Sequence, residues 1–424
     1  MKNPLLTLPR AYRSRAYRSG KASGITSVCS AHPIVIEAAL EFGLETEAPV
    51  LIEATCNQVN QDGGYTGMTP ADFMHFVHQI ARRVGFDMNR LMLGGDHLGP
   101  NPWKHLPADE AMDKAEIMIA AFARAGFSKL HLDTSMGCRG EPEALQDHET
   151  ASRAVRLARI AEDNKQGLDP VYIIGTEVPV PGGAQHALQH IAITTPDAVA
   201  MTYDIHKRAF ESAYLQDAFS RVIALVVQPG VEFGNEEVIQ FAPEKAKALS
   251  SCLKDYSDIV FEAHSTDYQT EQSLTALVKM GFSILKVGPR LTFALREALY
   301  ALDGMADSLA GKPPQGGLMS LMEAEMLAGP DLWRKHYSGS DEKLWLQRHF
   351  SLSDRIRYYW PAKNAARAVA DLLARLEHKV IPGPVLHQFF PNYDLNTRNV
   401  NGHSILKNSV KDVLRVYDAA IAAS

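Results

Sequence analysis

Eight short apolar runs, most of them ending in a polar or charged residue, constrain the fold of this chain more than any other feature. Stretches with helical spacing separate them, and repeated strand–helix alternation is typical of a (β/α)8 barrel. In such a barrel the carboxyl ends of all strands open onto one face, where active sites are built. The sequence therefore predicts that polar residues far apart in the chain meet in one cavity. The runs are Ile25–Cys29, Val50–Ala54, Leu91–Gly95, Lys129–Leu132, Val171–Gly175, Val222–Val227, Ile259–Glu262 and Ile284–Val287.

The chain has 424 residues, more than the roughly 250 that a bare barrel needs. We expect an N-terminal arm over 1–22, the barrel over 23–304 and a helical extension over 305–424 that packs on the barrel. Met305–Gln315 has the composition of a linker, and helical patterns such as Asp341–Phe350 follow it. The basic N-terminus lacks an apolar run long enough for a signal peptide.

Composition excludes several classes of protein. A formal net charge of −6 gives no support for nucleic-acid or membrane-surface binding. The four cysteines form no C-x-x-C pair and indicate reduced thiols in a cytoplasmic protein. No segment approaches the ~18 apolar residues of a membrane span. We find no P-loop, no dinucleotide-binding glycine motif and no nucleophile elbow.

Two acid–histidine pairs at strand ends indicate a metal site. Asp96 precedes His97 within GGDHLGPN, and Glu262 lies two residues before His264. Histidines on opposite sides of a barrel mouth can share one ion, so we expect His97 and His264 to bind a divalent metal. The alternative is that Asp96 caps the next helix and His97 packs in the core. A further carboxylate or amide would complete the ligand set, from Glu177, Gln228 or Asp133.

Carboxylates at other strand ends are candidates for proton transfer. Glu53 and Glu177 border loops rich in Gly and Pro, and either could act as a general acid or base. The alternative is that they pair with Lys or Arg in the barrel mouth. His131 is a weaker candidate, since a histidine in this setting is more often structural.

The late strand–helix loops are candidates for phosphate binding. Lys286 could form a Schiff base, but a phosphate or carboxylate partner fits better. Arg290, Ser265 and Thr266 could contact phosphate, because barrels commonly bind it with these loops and a helix N-terminus. The loop over residues 179–185 adds two candidate substrate contacts, Gly182 and Gly183.

Long motifs across nearly the whole chain resemble the GatZ/KbaZ family, which is associated with tagatose-1,6-bisphosphate aldolase and is similar to the metal-dependent class II aldolases. In those aldolases an Asp-His pair supplies a general acid and a zinc ligand, and Asp96 and His97 match it. His264 is similar to a later zinc ligand, whereas Gln228 stands where another histidine would be. The resemblance implies zinc, with Mg, Mn or Co as alternatives. The motifs are SVCSAHP (27–33), LGGDHLGPN (93–101), GTEVPVPGG (175–183), VVQPGVEF (226–233), EAHSTDYQT (262–270) and SLSDRIRYYWP (351–361).

The resemblance implies three functions. The first is a 4-epimerase that interconverts D-tagatose 6-phosphate and D-fructose 6-phosphate, with Glu53, Asp96, Glu177 and Glu262 as candidate proton carriers. Since the C4 hydrogen is not α to the ketone, a retro-aldol cut between C3 and C4 is the plausible chemistry. The second is a non-catalytic subunit that stabilises a class II aldolase. The third, a tagatose-6-phosphate kinase, lacks a recognisable cradle for nucleotide phosphates. We expect a phosphorylated ketohexose as ligand and assembly into a homo-oligomer.

Overall fold

The computed structural model describes residues 3–18, 23–176, 191–398 and 400–424. Eight parallel strands close a barrel in the order β1-β2-β3-β4-β5-β6-β9-β10, and β10 pairs with β1. This confirms the predicted (β/α)8 barrel with a helical C-terminal segment. The barrel strands are β1 Ile25–Cys29, β2 Val50–Thr55, β3 Leu91–Leu98, β4 Lys129–Leu132, β5 Val171–Ile174, β6 Val222–Val227, β9 Val260–Ala263 and β10 Phe282–Val287. The strands β7 Glu232–Phe233 and β8 Val238–Ile239 form a separate antiparallel hairpin.

Helices surround this barrel in the described part of the chain. They are α1 Leu8–Arg18, α2 Pro33–Glu45, α3 Pro70–Val84, α4 Ala108–Arg124, α5 Asp147–Asn164, α6 Pro196–Ser212, α7 Gln216–Phe219, α8 Lys247–Cys252, α9 Glu271–Lys279, α10 Pro289–Leu309, α11 Gly317–Ala328, α12 Asp341–Phe350, α13 Lys363–Leu376, α14 Gly383–Phe389 and α15 Gly402–Ala422. Among the described residues, no helix combines the length and apolar character that crossing a bilayer requires.

The interior of the barrel has an apolar floor and a polar upper half. Side chains alternate along a strand, so Leu51 and Glu53 of β2 point to the same face. Leu51 belongs to an apolar cluster near the amino ends of the strands, and Leu5 and Leu8 join this cluster. The Asn3 side chain donates a hydrogen bond of 2.6 Å to the backbone oxygen of Ser128, just before β4. The N-terminal segment therefore closes the floor, and the polar residues lie above it.

The last helix, α15, is part of the wall of the barrel. It packs against α2, α9, α10 and β1. The Tyr417 hydroxyl on α15 donates a hydrogen bond of 2.8 Å to the backbone oxygen of Thr266. The helix α10 continues to Leu309, so the linker predicted from Met305 onward begins too early. The helix ends just before Gly311, the first of the Gly and Pro residues of the predicted linker, and its apolar face is buried.

Candidate active site

A cavity at the carboxyl ends of the barrel strands contains most of the predicted chemistry. The barrel contributes Asp96, His97, His264, Ser265 and Lys286 to its lining, and the extension contributes Arg357. The convergence of residues from β3, β9 and β10 follows from the parallel barrel, because all strand ends reach the same face.

Three histidines meet beside this cavity, and a carboxylate holds each ring. The ring centroids are 4.9 to 5.3 Å apart. One nitrogen of each ring is thereby occupied, as in the carboxylate–histidine arrangement of metal sites. The second nitrogen of His97 lies 3.5 Å from Asp96 Oδ2, whereas that of His131 has no partner. The pairs are His97 Nδ1 with Asp133 Oδ2 at 2.8 Å, His131 Nδ1 with Asp96 Oδ1 at 2.9 Å, and His264 Nε2 with Glu262 Oε1 at 2.9 Å.

Four of these residues have the spacing of a metal site. Ligand atoms of Asp96, His131, Glu262 and His264 all lie within 4.8 Å of one another. The Nε2 atom of His131 is buried and has no hydrogen-bond partner. Burial lowers the pKa of His264 to about 3, so its ring is neutral, as a metal ligand must be. Two imidazoles and two carboxylates suit a divalent transition metal, and the site is compatible with one.

Two buried lysines connect the carboxylates below the cavity. Lys129 Nζ lies 2.8 Å from Glu53 Oε1 and 2.8 Å from Glu262 Oε2. Lys286 Nζ lies 2.6 Å from Asp96 and 3.1 Å from Glu53. Burial opposes the ammonium form of both lysines, but the carboxylates prevail and raise each pKa. Lys286 is therefore held as an ammonium group, which disfavours a Schiff base because that reaction needs the free amine.

The buried network carries more negative than positive charge. It holds the carboxylates of residues 53, 96, 133 and 262 against the two lysines. Burial opposes protonation of His97, but Asp96 and Asp133 outweigh it and raise the pKa of that ring. Even with His97 charged, four anions face three cations. A bound cation would compensate the difference, since unbalanced buried charge is costly.

The backbone around the site is shaped for these side chains. Gly94 pairs with Glu53 in the register of β2 and β3, and a Cβ atom at Gly94 would lie 2.6 Å from Glu53 Cγ. Glycine therefore makes room for the carboxylate. His97 and Ser265 have φ values of 50° and 54°, in the left-handed region that is unfavourable for residues with a side chain. Strain of this kind clusters at functional sites.

Comparison with known proteins decides the family. Residues 12–422 match the family described as D-tagatose-1,6-bisphosphate aldolase subunit GatZ/KbaZ-like. The chain belongs to this family. The family that the motifs predicted is thereby confirmed.

Two relatives of the family resemble this chain closely. It is 52% identical over 409 residues to an Agrobacterium fabrum protein named D-tagatose 6-phosphate 4-epimerase, with 96% of each chain covered. It is also 54% identical to a Sinorhizobium meliloti protein whose crystal structure is titled a probable tagatose 6 phosphate kinase. The TM-score is 0.86, with 95% of this chain and 100% of that chain covered. A more distant structure, the fructuronate-tagaturonate epimerase UxaE from Cohnella laeviribosi, shares the fold. It is 11% identical with a TM-score of 0.51, and the match covers 93% of this chain and 81% of that one.

The predicted proton carriers differ in their access to the cavity. Asp96 lines it. Glu53 and Glu262 are fully buried and contact the two lysines. For Glu53, this agrees with the alternative prediction that the carboxylate pairs with Lys or Arg in the barrel mouth. Glu177 lies outside the described residues, as do Gly182 and Gly183.

The predicted metal ligands are only partly brought together. His264 belongs to the four-residue group, and His97 adjoins it. Asp133 instead forms a hydrogen bond with the His97 ring, on Nδ1. The Gln228 side-chain oxygen accepts hydrogen bonds from the backbone N–H groups of Gly230 and Val231, so this amide shapes a loop.

The predicted phosphate contacts are also dispersed. Thr266 donates its hydroxyl proton to the backbone oxygen of Lys286 and is fully buried. The Arg290 guanidinium lies over the ring of Tyr268 and 3.5 Å from Glu297, and it does not line the cavity. Lys286 is occupied by carboxylates. Ser265 lines the cavity, but its side chain is hydrogen-bonded to the Glu232 carboxylate.

Two residues of this network are not among the residues that the sequence predicts for the site. The sequence gives Lys129 no predicted role in the site, and it favours a structural role for His131. Both lie on β4 at alternating positions, and their side chains therefore share the inner face. A charged residue and a histidine at positions i and i+2 of a short apolar strand were the available signal.

Proposed function

We propose that this chain is a sugar-phosphate epimerase that interconverts D-tagatose 6-phosphate and D-fructose 6-phosphate at C4. The observation that carries the proposal is a cavity lined by the carboxylate-bound imidazoles of His97 and His264, with that of His131 buried beside them. The name of the relative that is 52% identical supports the choice of substrate. A scaffold would have no need to keep four buried carboxylates together, because their repulsion costs stability.

The reaction that fits this site is a retro-aldol cleavage followed by re-addition. The C4 hydroxyl gives up its proton, the C3–C4 bond breaks, and its electron pair passes to C3 and the C2 ketone. C4 becomes an aldehyde, and the other fragment becomes an enediolate. The aldehyde then presents its other face to C3, the bond re-forms, and the C4 oxygen regains its proton.

The site residues can be assigned to this chemistry by position. Asp96, His131, Glu262 and His264 would hold a divalent metal such as zinc, which would supply Lewis acidity for the charge on the ketone oxygen. His97 lines the cavity outside this group, with Asp133 behind it, and its neutral form would accept and return the C4 hydroxyl proton. This exchanges the roles that the sequence indicated for Asp96 and His97.

Metal analysis of two variants distinguishes the two assignments. We expect His131→Ala to lose the metal and His97→Ala to retain it while losing turnover. Loss of metal from His97→Ala, with normal content in His131→Ala, would restore the assignment made from sequence. Metal content is measured by plasma mass spectrometry after dialysis, and circular dichroism checks that both variants fold.

The activity itself is tested with the purified protein alone. With a divalent metal, it should convert D-tagatose 6-phosphate to D-fructose 6-phosphate, and a chelator should stop the reaction. The family description favours a second candidate, the stabilising subunit of an aldolase. No turnover by the isolated chain, together with a stable complex and activity when an aldolase subunit is added, would support that role. Consumption of ATP with D-tagatose 6-phosphate would instead indicate a kinase.

A further inference from the structure

We propose that Arg357, from the C-terminal extension, binds the phosphate group of the sugar substrate. The proposal rests on the proposed function for the identity of the sugar. It assigns the extension a direct part in substrate recognition at the mouth of the barrel.

The first argument concerns charge. Arg357 lines the cavity, and its guanidinium donates to neutral acceptors: the backbone oxygens of Ser353 and Asp354 and, at 2.8 Å, the hydroxyl of Tyr358. Within the described residues it forms no ion pair. Lys286, by contrast, is matched by carboxylates. The Asp267 and Asp354 carboxylates attract Arg357 electrostatically but do not contact it. Arg357 therefore lines the cavity without a direct carboxylate contact and can receive a substrate anion.

The second argument concerns the usual phosphate position of a barrel, the helix N-terminus that follows the eighth strand. Here the Asp267 carboxylate already occupies it. Its Oδ1 atom accepts hydrogen bonds from the backbone N–H groups of Gly288 at 3.0 Å and Arg290 at 2.8 Å. A phosphate placed there would meet a carboxylate, so recognition has to use another group.

The third argument is that the turn carrying Arg357 is firmly held. Asp354 adopts a left-handed conformation with φ 46°, and its Oδ2 accepts a hydrogen bond of 2.6 Å from Thr292 Oγ1 on α10. Its other oxygen lies 3.5 Å from Nε of Arg296, which is 2% exposed. On the other side, the backbone N–H of Leu352 donates to the backbone oxygen of Asn235 at 2.9 Å. The turn is thus fixed to α10 and to the hairpin region before substrate arrives, which reduces the entropic cost of binding.

The surroundings of Arg357 suit a phosphorylated sugar. The rings of Tyr65 and Tyr358 meet edge to face at 4.7 Å beside it. Asn57 and Gln58 add amide groups to the same lining. The planar fork of a guanidinium matches two phosphate oxygens, and such charge-assisted hydrogen bonds are among the strongest in proteins.

Calorimetric titration with D-fructose 6-phosphate and with D-fructose tests the proposal. Arg357→Met should raise the Kd for the phosphorylated sugar on the order of 10- to 100-fold. Arg357→Lys, which keeps the charge but loses the fork, should fall between this variant and the wild type. The matched control is Arg290→Met, which removes the arginine that the sequence indicated and should leave the Kd unchanged. Inorganic phosphate should compete with the sugar phosphate in the wild type and lose this effect in Arg357→Met.

An unchanged Kd in Arg357→Met, or weakened binding in Arg290→Met instead, would overturn the proposal. Thermal unfolding of each variant shows whether the turn has collapsed. If Arg357→Met does not fold, Arg357→Lys replaces it in the titration, and a Kd equal to that of the wild type would then refute a bidentate phosphate contact. The titration measures binding and does not depend on whether the sugar phosphate is turned over. Wild-type protein that binds the sugar phosphate through Arg357 but does not epimerise it would refute the reaction and leave this site standing.

Discussion

Replacement of Lys129 by methionine removes the ammonium group that joins two carboxylates beneath the cavity. Lys129, Glu53 and Glu262 are all 0% exposed. After the change, Glu53 keeps the Ser27 hydroxyl at 2.5 Å and Lys286 at 3.1 Å. Glu262 keeps the hydrogen bond to His264 and a longer contact of 3.7 Å to Lys286. Both carboxylates thus stay buried with one close cation fewer.

The expected loss of stability is about 3–5 kcal/mol, because breaking a buried ion pair leaves uncompensated charge. An unfolding entropy of about 2.1 cal/mol/K per residue gives ~0.9 kcal/mol/K for 424 residues. The Tm should therefore fall by about 3–6 °C. Differential scanning calorimetry of the metal-free protein measures it. The control Lys114→Met removes a half-exposed lysine 3.7 Å from Asp62 and should cost less than about 0.5 kcal/mol.

A double mutant tests the charge argument itself. In Lys129→Met combined with Glu262→Gln, one of the unpaired carboxylates is gone. The two changes should therefore be less than additive, with a coupling free energy of about 1–3 kcal/mol. Additive effects, or a Tm loss no larger than that of Lys114→Met, would refute the view that Lys129 holds the carboxylates together.

Two further predictions concern packing and pH. Gly94→Ala places a Cβ 2.6 Å from Cγ of Glu53, so it should lower the free energy of unfolding by about 1–3 kcal/mol and should lower kcat. In the control Gly329→Ala the nearest neighbour of the new Cβ is 3.7 Å away, and neither quantity should change. Equal losses of stability for the two variants in denaturant unfolding would contradict this prediction. Burial raises the pKa of Glu232 to about 7, so the folded state keeps a proton that the unfolded state loses, and stability should decline by about 3 kcal/mol as pH rises from about 4.5 to 7. Glu232→Gln should reduce that decline in urea unfolding at pH 5 and pH 8; an identical pH dependence in wild type and variant would rule out this role for Glu232.

The barrel could be predicted because its signal is local. Most strands are apolar runs that are buried on both faces. Many helices have their own spacing and cap, as in the Thr69 capping box before α3. Once the barrel is inferred, its parallel topology requires that the strand ends converge. The grouping of Asp96, His97 and His264 was therefore within reach of sequence alone.

The side chains that contact those residues could not be predicted from the sequence. Lys129 stands in the sequence as an isolated charge, and only its neighbours in the barrel show that two glutamates bind it. Asp267 and Arg290 both follow late barrel strands, yet the carboxylate binds the helix N-terminus while the guanidinium lies near Glu297. Such outcomes depend on which side chains the fold brings together, which the order of residues does not reveal.

The sequence by itself determined the eightfold alternation, the family and the face on which the chemistry lies, because periodicity and motifs are properties of neighbouring residues. Only the tertiary structure decided which imidazole is left with a free buried nitrogen, which lysine joins the carboxylates, and that Arg357 reaches the cavity. The physical reason is that these contacts join residues far apart in the chain. The contacts of His131 and Lys129 depend on the register between barrel strands, and the position of Arg357 depends on the docking of the extension onto α10.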